Sequence, residues 1–233
     1  MSESASGLIR GEDGQHRCWW HGNDPIYRAY HDNEWGRPVA VDRTLFEKLS
    51  LEGFQAGLSW LTILRKRDNF RRAFRGFEID VVARFGPPDV ERLLQDAGVV
   101  RHRGKIEAVI DNAKRAQDLQ AEAGSLAAFV WSFEPSPASR PRCLDRTTLS
   151  SLAQTPDSKA LSKALKQHGW RFVGPTTCYA FMQAMGLVND HLDGCCIRAV
   201  AEAERTAFTR PRAIVRAAVR KSVTGAAPLS ALE

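Results

Sequence analysis

Helical periodicity is the feature of this sequence that most constrains its fold. Apolar residues recur every three or four positions along almost the whole chain, and no segment shows a sustained alternation of apolar and polar residues. Helix boundaries are also marked, because Thr155 precedes Pro156 as an N-cap and Gly169 follows the same apolar stripe. No unit of roughly 20 to 50 residues repeats. These patterns predict an all-α protein that is not a solenoid.

The chain divides into a body and two extensions. Its 233 residues suffice for one large domain or two small ones, and helical patterns are dense between residues 15 and 197. Residues 1–14 lack such patterns, so we expect a flexible N-terminal extension. Residues 198–233 hold seven Arg or Lys against three Glu, which is +4 of the net charge of +6. Because large apolar residues are few there, we expect a loosely ordered basic extension.

Composition and termini restrict the class of protein. With 43% apolar and 26% charged residues, the sequence is that of a globular protein and not of a collagen or a disordered chain. It has no apolar run of about 18 residues. The first residues also lack the basic start and apolar stretch of a secretory signal. We therefore expect a cytoplasmic protein with no membrane partner.

A predicted pair of helices over about residues 90–115 has a basic turn. Gly98 and Gly104 lie in the connection, and Arg101, Arg103 and Lys105 surround it. A helix-hairpin-helix of this kind presents unsatisfied backbone N–H groups and a helix N-terminus to a phosphate. The net positive charge is compatible with such a polyanionic partner. An ordinary helical hairpin with a basic turn is an equally open interpretation of this segment.

Five aromatic residues lie close together near the N-terminus, and polar residues separate them. Core helices seldom mix Trp with so many polar residues, whereas a pocket for a planar ligand needs aromatic walls and a few polar groups. The cluster therefore favours a ligand pocket, with a Trp-rich local core as the alternative. Its members are Trp19, Trp20, Tyr27, Tyr30 and Trp35.

Cysteine and histidine usage leaves two interpretations open. The five cysteines are too few and too scattered for a disulfide framework, so reduced thiols and metal ligands are the two options. His31 and His191 stand in polar, turn-rich surroundings, each with a cysteine nearby in sequence. The distance in sequence from Cys18 to His31 is unlike that of a zinc finger, so spacing alone does not establish a metal site.

Several blocks of the sequence, in order, resemble the bacterial 3-methyladenine DNA glycosylase I family. The resemblance runs from about Arg17 to Cys196. It implies an all-α helix-hairpin-helix glycosylase that acts on alkylated double-stranded DNA, releases free 3-methyladenine and contains a structural zinc. The blocks that carry it are Ala29-Tyr30-His31-Asp32-Asn33-Glu34-Trp35-Gly36, Leu51-Glu52-Gly53-Phe54-Gln55-Ala56-Gly57-Leu58-Ser59-Trp60, Gln95-Asp96-Ala97-Gly98 with Arg101-His102-Arg103-Gly104-Lys105-Ile106, Phe129-Val130-Trp131-Ser132-Phe133 and Gly186-Leu187-Val188-Asn189-Asp190-His191.

The resemblance also implies roles for individual residues. Glu52 would be the catalytic carboxylate and would act by recognising the base. From their position between the pocket helix and Trp60, we also expect Gly57 and Leu58 to enter the duplex. The implied base pocket consists of Glu52, Tyr30 and Trp60, with Trp20 and Trp35 as neighbours. One zinc ion per chain would join the two ends of the body through Cys18, His31, His191 and Cys195. Arg101, Arg103, Gly104 and Lys105 would contact the phosphates. We expect a monomer.

Two other functions fit the same features. A non-catalytic DNA-binding protein could use the hairpin and the zinc site without cleaving any bond. A helical enzyme could instead hydrolyse a free purine nucleoside. Release of a free base from methylated duplex DNA, leaving an abasic site, distinguishes the glycosylase from both.

Overall fold

The computed structural model describes residues 6–213, and these are mostly helical, as the periodicity predicts. Short 3-10 turns occur at Trp19–His21, Arg75–Phe77 and Pro137–Ser139. The α-helices, numbered here in chain order, are α1 (Pro25–Asn33), α2 (Asp42–Gln55), α3 (Trp60–Ala73), α4 (Ile79–Val82), α5 (Pro87–Gln95), α6 (Arg103–Ala123), α7 (Leu126–Trp131), α8 (Arg146–Ser151), α9 (Pro156–Gln167), α10 (Pro175–Ala184) and α11 (Arg198–Ala207).

The helix boundaries follow the capping residues in the sequence. Thr155 and Ser158 cap the start of α9 reciprocally, and Pro156 is its first residue, where a missing N–H costs nothing. Gly169 then takes a positive φ of 80° and ends the helix. Ser59 accepts a hydrogen bond from the Thr62 N–H at 3.2 Å and so caps α3.

Helix α2 is the centre of the molecule. Ten of its fourteen residues are buried, and it packs against α3, α6, α7 and α10. Phe54 near its C-terminal end stacks with Phe70 of α3 at a centroid distance of 4.7 Å. The buried part of α2 includes three charged residues, Glu47, Lys48 and Glu52. Because buried charges require partners, this helix is where a functional site is expected.

The predicted flexible N-terminal extension is wrong for residues 6–14. Leu8–Arg10 forms strand β1, which pairs antiparallel with strand β2, His16–Cys18, so that Leu8 lies opposite Cys18. Three-residue strands are too short to show alternation in the sequence. Residues 1–5 of the predicted extension lie outside the described residues.

The predicted loose order of the C-terminal extension is wrong for residues 198–213. Helix α11 occupies Arg198–Ala207, and Arg205 on it is paired with Glu134 at 2.9 Å. Phe208 packs on Trp131 with ring centroids 4.6 Å apart. These contacts attach the helix although it has few large apolar residues of its own. Residues 214–233 lie outside the described residues.

The length and apolar character of the helices bear on the expectation that no segment spans a membrane. Among residues 6–213, none of the helices has both the length and the apolar character required to span a membrane.

Candidate active site and nucleic-acid interface

Helices α1, α2 and α3 enclose a pocket of about 250 Å³. Aromatic side chains dominate its walls, while a carboxylate, an ammonium and two amides supply polar groups, as expected of a small-molecule site. The lining residues are Trp19, Trp20, Tyr27, Tyr30, Trp35, Lys48, Glu52, Gln55, Trp60, Leu149, Ser150, Ala180 and Gln183.

The aromatic residues predicted as pocket walls come together around this cavity. Tyr30 of α1 and Trp60 at the start of α3 lie with ring centroids 5.4 Å apart. Trp20 and Trp35 are 4.9 Å apart in an edge-to-face arrangement, and Trp20 contacts Tyr27 at 5.0 Å. Tyr30, Trp35 and Trp60 are all less than 10% exposed. The walls are therefore packed against one another, which fixes their orientation before any ligand enters.

Glu52 lies in the pocket and is buried, with 5% of the residue exposed. Its Oε1 accepts an ion-pair contact from Lys48 Nζ at 2.7 Å, one helical turn earlier on α2. The same ammonium donates to the Tyr30 hydroxyl at 2.9 Å and lies 3.1 Å from the centroid of the Trp60 ring. One lysine thus contacts all three groups predicted to recognise the base.

Sequence reasoning did not identify Lys48. A Lys–Glu pair four residues apart is typical of a solvated helix surface, so the spacing alone predicts an exposed ion pair. The signal was nevertheless present, because Lys48 shares the apolar face of α2 with Leu45, Leu49 and Glu52. A charged pair on the buried stripe of a helix indicates a site and not a surface.

Burial shapes the electrostatics of this pocket. It lowers the pKa of Lys48 to about 8, although Glu52 acts in the opposite direction. Burial also raises the pKa of Tyr30 well above its ordinary value, and the nearby Glu52 carboxylate adds to this rise. The Tyr30 hydroxyl therefore stays protonated and can donate or accept a hydrogen bond near neutral pH.

The loop between α2 and α3 carries Gly57 and Leu58. Leu58 is 43% exposed, one of the few large apolar side chains at the surface of the described residues. Gly57 has a positive φ of 84°, a conformation that glycine adopts without strain. The loop lies between Gln55 and Trp60, both of which line the pocket.

Lys105, predicted to contact phosphate, points towards the end of α2. It is buried, and its ammonium donates to the carbonyl oxygens of Phe54 at 2.9 Å and Ala56 at 2.6 Å. Those carbonyls belong to the end of α2 and to the loop that follows. The Lys105 ammonium is therefore bonded to the base of the Gly57–Leu58 loop, and its contact with phosphate stays a prediction.

The remaining basic residues of the hairpin are at the surface. Helices α5 and α6 are joined by residues 96–102, and α6 begins beyond the N-cap His102, whose ring accepts from the Lys105 N–H. Arg101 is exposed. Arg103 is also exposed, but it pairs with Glu91 at 2.7 Å and Glu107 at 3.8 Å. Gly104 lies in the first turn of α6, so Arg101 and this helix start face solvent together.

Cys18, His31 and Cys195 form a buried group whose ligand atoms all lie within 4.8 Å of one another. They come from β2, α1 and the segment before α11, so the group joins both ends of the body. Hydrogen bonds from Cys18 and from His31 lower the pKa of the Cys195 thiol. Burial raises the pKa of the Cys18 thiol. The Nδ1 of His31 contacts an Asp32 carboxylate oxygen at 2.7 Å, the usual outer partner of a metal-bound imidazole.

The predicted fourth metal ligand, His191, lies beside this group but is not part of it. Its ring centroid is 4.9 Å from that of His31. Its nitrogens lie instead 3.0 Å from Asn189 Oδ1 and 3.5 Å from the His31 carbonyl oxygen. Of the four predicted ligands, the structure brings three together.

The Cys18–His31–Cys195 group and the pocket share a wall. Trp20 contacts the His31 ring at 5.1 Å, and Trp35 contacts the His191 ring at 4.7 Å. Tyr30 and His31 are neighbours on α1, one facing the pocket and the other the thiols. The two histidine rings therefore pack against the aromatic walls of the pocket.

Comparison with known proteins identifies the family. A family model described as methyladenine glycosylase matches residues 20–199. The chain belongs to the methyladenine glycosylase family. DNA-3-methyladenine glycosylase 1 of Escherichia coli K12 is 52% identical to it over 181 residues, which are 77% of this chain and 95% of that protein. The DNA-3-methyladenine glycosylase of Haemophilus influenzae is 47% identical over 180 residues, 77% of this chain and 96% of that protein.

The fold of this methyladenine glycosylase family member agrees with a solved structure. A tyrosine-to-phenylalanine variant of 3-methyladenine DNA glycosylase I in complex with 3-methyladenine is 35% identical to it, with a TM-score of 0.73. The match covers 78% of this chain and 97% of that one. The predicted family and fold class are thereby confirmed.

Proposed function

We propose that this chain is a DNA repair enzyme that hydrolyses the N-glycosidic bond of 3-methyladenine in alkylated DNA and leaves an abasic site. Membership of the methyladenine glycosylase family supports this activity. The observation that carries it is the aromatic pocket, whose one buried carboxylate, Glu52, lies beside Tyr30 and Trp60. Such a pocket suits a flat, positively charged base.

The bond to be broken is already weak. Methylation at N3 makes the base of the nucleotide cationic, so the electron pair of the glycosidic bond moves to the base as the bond breaks. The base leaves as a neutral molecule, water adds to the sugar carbon, and one proton is released. Because the substrate is reactive by itself, the enzyme need only extrude the nucleotide and favour departure of the base.

Glu52 is suited to recognition of the base. Its carboxylate can accept hydrogen bonds from the polar edge of the base and offers a negative charge to the cation. Tyr30 and Trp60 can stack on the base and add cation–π attraction, which is strongest in a site shielded from water. Trp20 packs edge-to-face on Tyr30, with ring centroids 6.5 Å apart, and Trp35 packs on Trp20.

Engagement of duplex DNA is assigned to the hairpin and the α2–α3 loop. Arg101, Arg103 and the backbone at Gly104 would contact phosphates, which position the protein without reading sequence. The exposed Leu58 would enter the stack where the base leaves, with Gly57 allowing close approach. Lys105 supports this loop from behind, so it contributes without touching DNA.

A structural zinc fits the residues present. Two buried thiols and one imidazole form a donor set that zinc prefers. The Asp32 carboxylate, which contacts Nδ1 of His31, orients the imidazole. Cys18, His31 and Cys195 would supply three ligands, and His191, beside them, the fourth. The ion would supply no chemistry to the reaction. Its role would be to fix β2 and the segment before α11 against α1.

Base release from methylated DNA tests the proposal. The protein is incubated with alkylated duplex, and the freed bases are separated by chromatography. We expect 3-methyladenine in the soluble fraction and abasic sites in the DNA. Binding of the duplex with no released base would indicate a non-catalytic binding protein. Hydrolysis of a free methylated nucleoside with no action on duplex would indicate a nucleoside hydrolase.

A further inference from the structure

The Lys48 ammonium contacts the same three side chains that the proposed function assigns to recognition of the base. It contacts Glu52 Oε1 at 2.7 Å, the Tyr30 hydroxyl at 2.9 Å and the face of Trp60 at 3.1 Å from the ring centroid. A carboxylate, a phenol and an indole face are also the three partners that a cationic heterocycle requires. The pocket of the described structure is thus satisfied by a cation of its own.

Two cations cannot share these partners without cost. Lys48 and Glu52 have only 6% and 5% of their side chains exposed, so water screens the charges poorly. A cationic base that approached Glu52 would meet an ammonium less than 3 Å from the same carboxylate. Like charges in such a site disfavour each other, which means that one of them must move away or lose its charge.

We infer that Lys48 is an internal counter-cation of the base pocket, which competes with the cationic base for Glu52 and sets how strongly the pocket distinguishes the charged base in DNA from the neutral base after release. This inference rests on the proposed function and deepens it. The cationic nucleotide must displace or neutralise the ammonium in order to bind. The neutral product does not face this repulsion.

The surroundings of Lys48 decide its charge. On its own helix it faces Glu52, from α1 it faces the Tyr30 hydroxyl and, beyond the helix end, Glu34, and from α3 it faces Arg67. Burial has the largest influence and lowers the lysine pKa to about 8, while the two carboxylates raise it and Arg67 lowers it. As pH rises through that value, the fraction of neutral lysine increases. Affinity for a cationic base should therefore rise over the same range.

A matched pair of ligands isolates the effect of charge. In 3,9-dimethyladeninium a methyl group replaces the sugar and the positive charge of the alkylated nucleoside is kept, whereas 3-methyladenine has the same ring system without the charge. Binding of both is measured by calorimetry from about pH 6 to about pH 9. The protein variants are wild type, Lys48→Met, which keeps the length of the side chain, and Lys48→Arg, which cannot lose its charge.

The expected result follows from the fraction of neutral lysine. One pH unit below a pKa of about 8, about one lysine in ten is neutral, so the wild type should bind the cation about tenfold more weakly than Lys48→Met near pH 7. Near pH 9 this difference should vanish. Affinity for the neutral ligand should differ by less than about threefold between the two proteins. Lys48→Arg should remain weak for the cation across the whole range.

Several outcomes are decisive. An unchanged ratio of cation to neutral affinity in Lys48→Met near pH 7, or weaker binding of the cation, would overturn the inference. Lys163→Met, an exposed lysine on α9, is the control for loss of one positive charge and should behave as wild type. In Lys48→Met/Glu52→Gln, the preference for the cation over the neutral ligand should fall below that of Lys48→Met, because the carboxylate that the cation would contact is gone.

Failure of the proposed function is recognisable separately. If wild type and all variants bind neither ligand and release no base from alkylated DNA, the pocket is not a site for methylated adenine and both proposals fall. If base is released but Lys48→Met shows the wild-type preference between the ligands, only the role of Lys48 is overturned. Thermal unfolding of each variant confirms that the comparison is made between folded proteins.

Discussion

Glu52 and Lys48 act as one unit, because their buried side chains form an ion pair at 2.7 Å. Burial lowers the pKa of Lys48, and the Glu52 carboxylate opposes that effect. A substitution at either residue therefore changes two groups at once. Effects measured on single variants need the double variant before they can be assigned to one side chain.

Glu52→Gln should weaken recognition of the base without abolishing excision. The amide keeps the shape of the side chain, removes its charge and replaces one acceptor with a donor. A hydrogen bond to a charged group contributes roughly 1.5 to 3 kcal/mol, so we expect a loss of about tenfold to a hundredfold in affinity. Titration with free 3-methyladenine and single-turnover excision measure binding and chemistry separately.

The control for this prediction is Glu122→Gln, an exposed glutamate on α6, which should leave both measurements unchanged. The weakened bond of the alkylated nucleotide remains reactive in Glu52→Gln, so some excision should persist. Complete loss of turnover with intact affinity for the base would contradict a recognition role. That result would make Glu52 a catalytic base.

At the scale of helices and strands, an element could be predicted when the contacts that define it lie close together in sequence. The start of α9 at Thr155-Pro156 was predictable because the cap and the proline act within a few residues. Helix α11 was not, since its attachment depends on Phe208 reaching Trp131 and on Arg205 reaching Glu134, residues about seventy positions away. Strand β1 was missed for a different reason, because a three-residue strand is too short to show alternation in the sequence.

The candidate site shows the same division. The aromatic walls and Glu52 stand in recognisable blocks of sequence, so they could be named. The burial of Lys105 could not, because a lysine in a helix is exposed in most proteins, and that of Lys48 was indicated only by its place on the apolar face of α2. The Lys48 ammonium donates to the Tyr30 hydroxyl, and the Lys105 ammonium donates to the Phe54 carbonyl oxygen. Only the packing of α2 against α1 and α6 supplies those partners.

Lys105→Met should loosen the α2–α3 loop. The substitution removes two hydrogen bonds from a charged donor to the Phe54 and Ala56 carbonyls, so we expect stability to fall by roughly 1.5 to 3 kcal/mol. Excision from duplex should decrease, because Leu58 is no longer held, while affinity for free 3-methyladenine should stay within about twofold. Denaturant unfolding and the two activity measurements test this.

Lys114→Met is the matched control on α6, where the lysine is exposed. It should leave both stability and excision unchanged. The dependence of DNA binding on salt also discriminates between roles of Lys105. A slope lowered by about one in Lys105→Met, with unchanged stability, would restore the phosphate contact and contradict the positioning role.

Arg101→Ala should weaken binding to all duplexes alike. Each phosphate contact contributes about 0.9 to the slope of log affinity against log salt, so removal of Arg101 should flatten the slope by about that amount. Arg103→Ala should have a smaller effect, because Glu91 and Glu107 already balance its charge. Filter binding of methylated and unmethylated duplexes at several salt concentrations measures both. Arg115→Ala, an exposed residue later on α6, is the control, and an unaltered slope in Arg101→Ala would contradict the interface.

On the scale of the whole molecule, the two ends of the described chain meet at one place. Cys18 is the last residue of strand β2, Cys195 precedes α11, and the sulfurs of both lie within 4.8 Å of a His31 ring nitrogen. Arg198, the first residue of α11, donates to the His191 carbonyl oxygen. The aromatic walls of the pocket therefore depend on contacts between segments that are far apart in sequence, and a metal ion would strengthen all of these contacts together.

Elemental analysis should find about one zinc per chain, and loss of a ligand should lower both zinc content and thermal stability. An ion present at about 100 times its Kd stabilises the folded state by about 2.7 kcal/mol, so Tm should fall by roughly 5 to 11 °C in Cys18→Ser and His31→Ala. Cys143→Ser, an exposed cysteine, should retain zinc and Tm.

His191→Ala decides the fourth ligand, because the nitrogens of His191 face Asn189 and the His31 carbonyl in the described structure. Unchanged zinc and Tm in that variant would remove His191 from the site and leave the three grouped residues as the protein ligands.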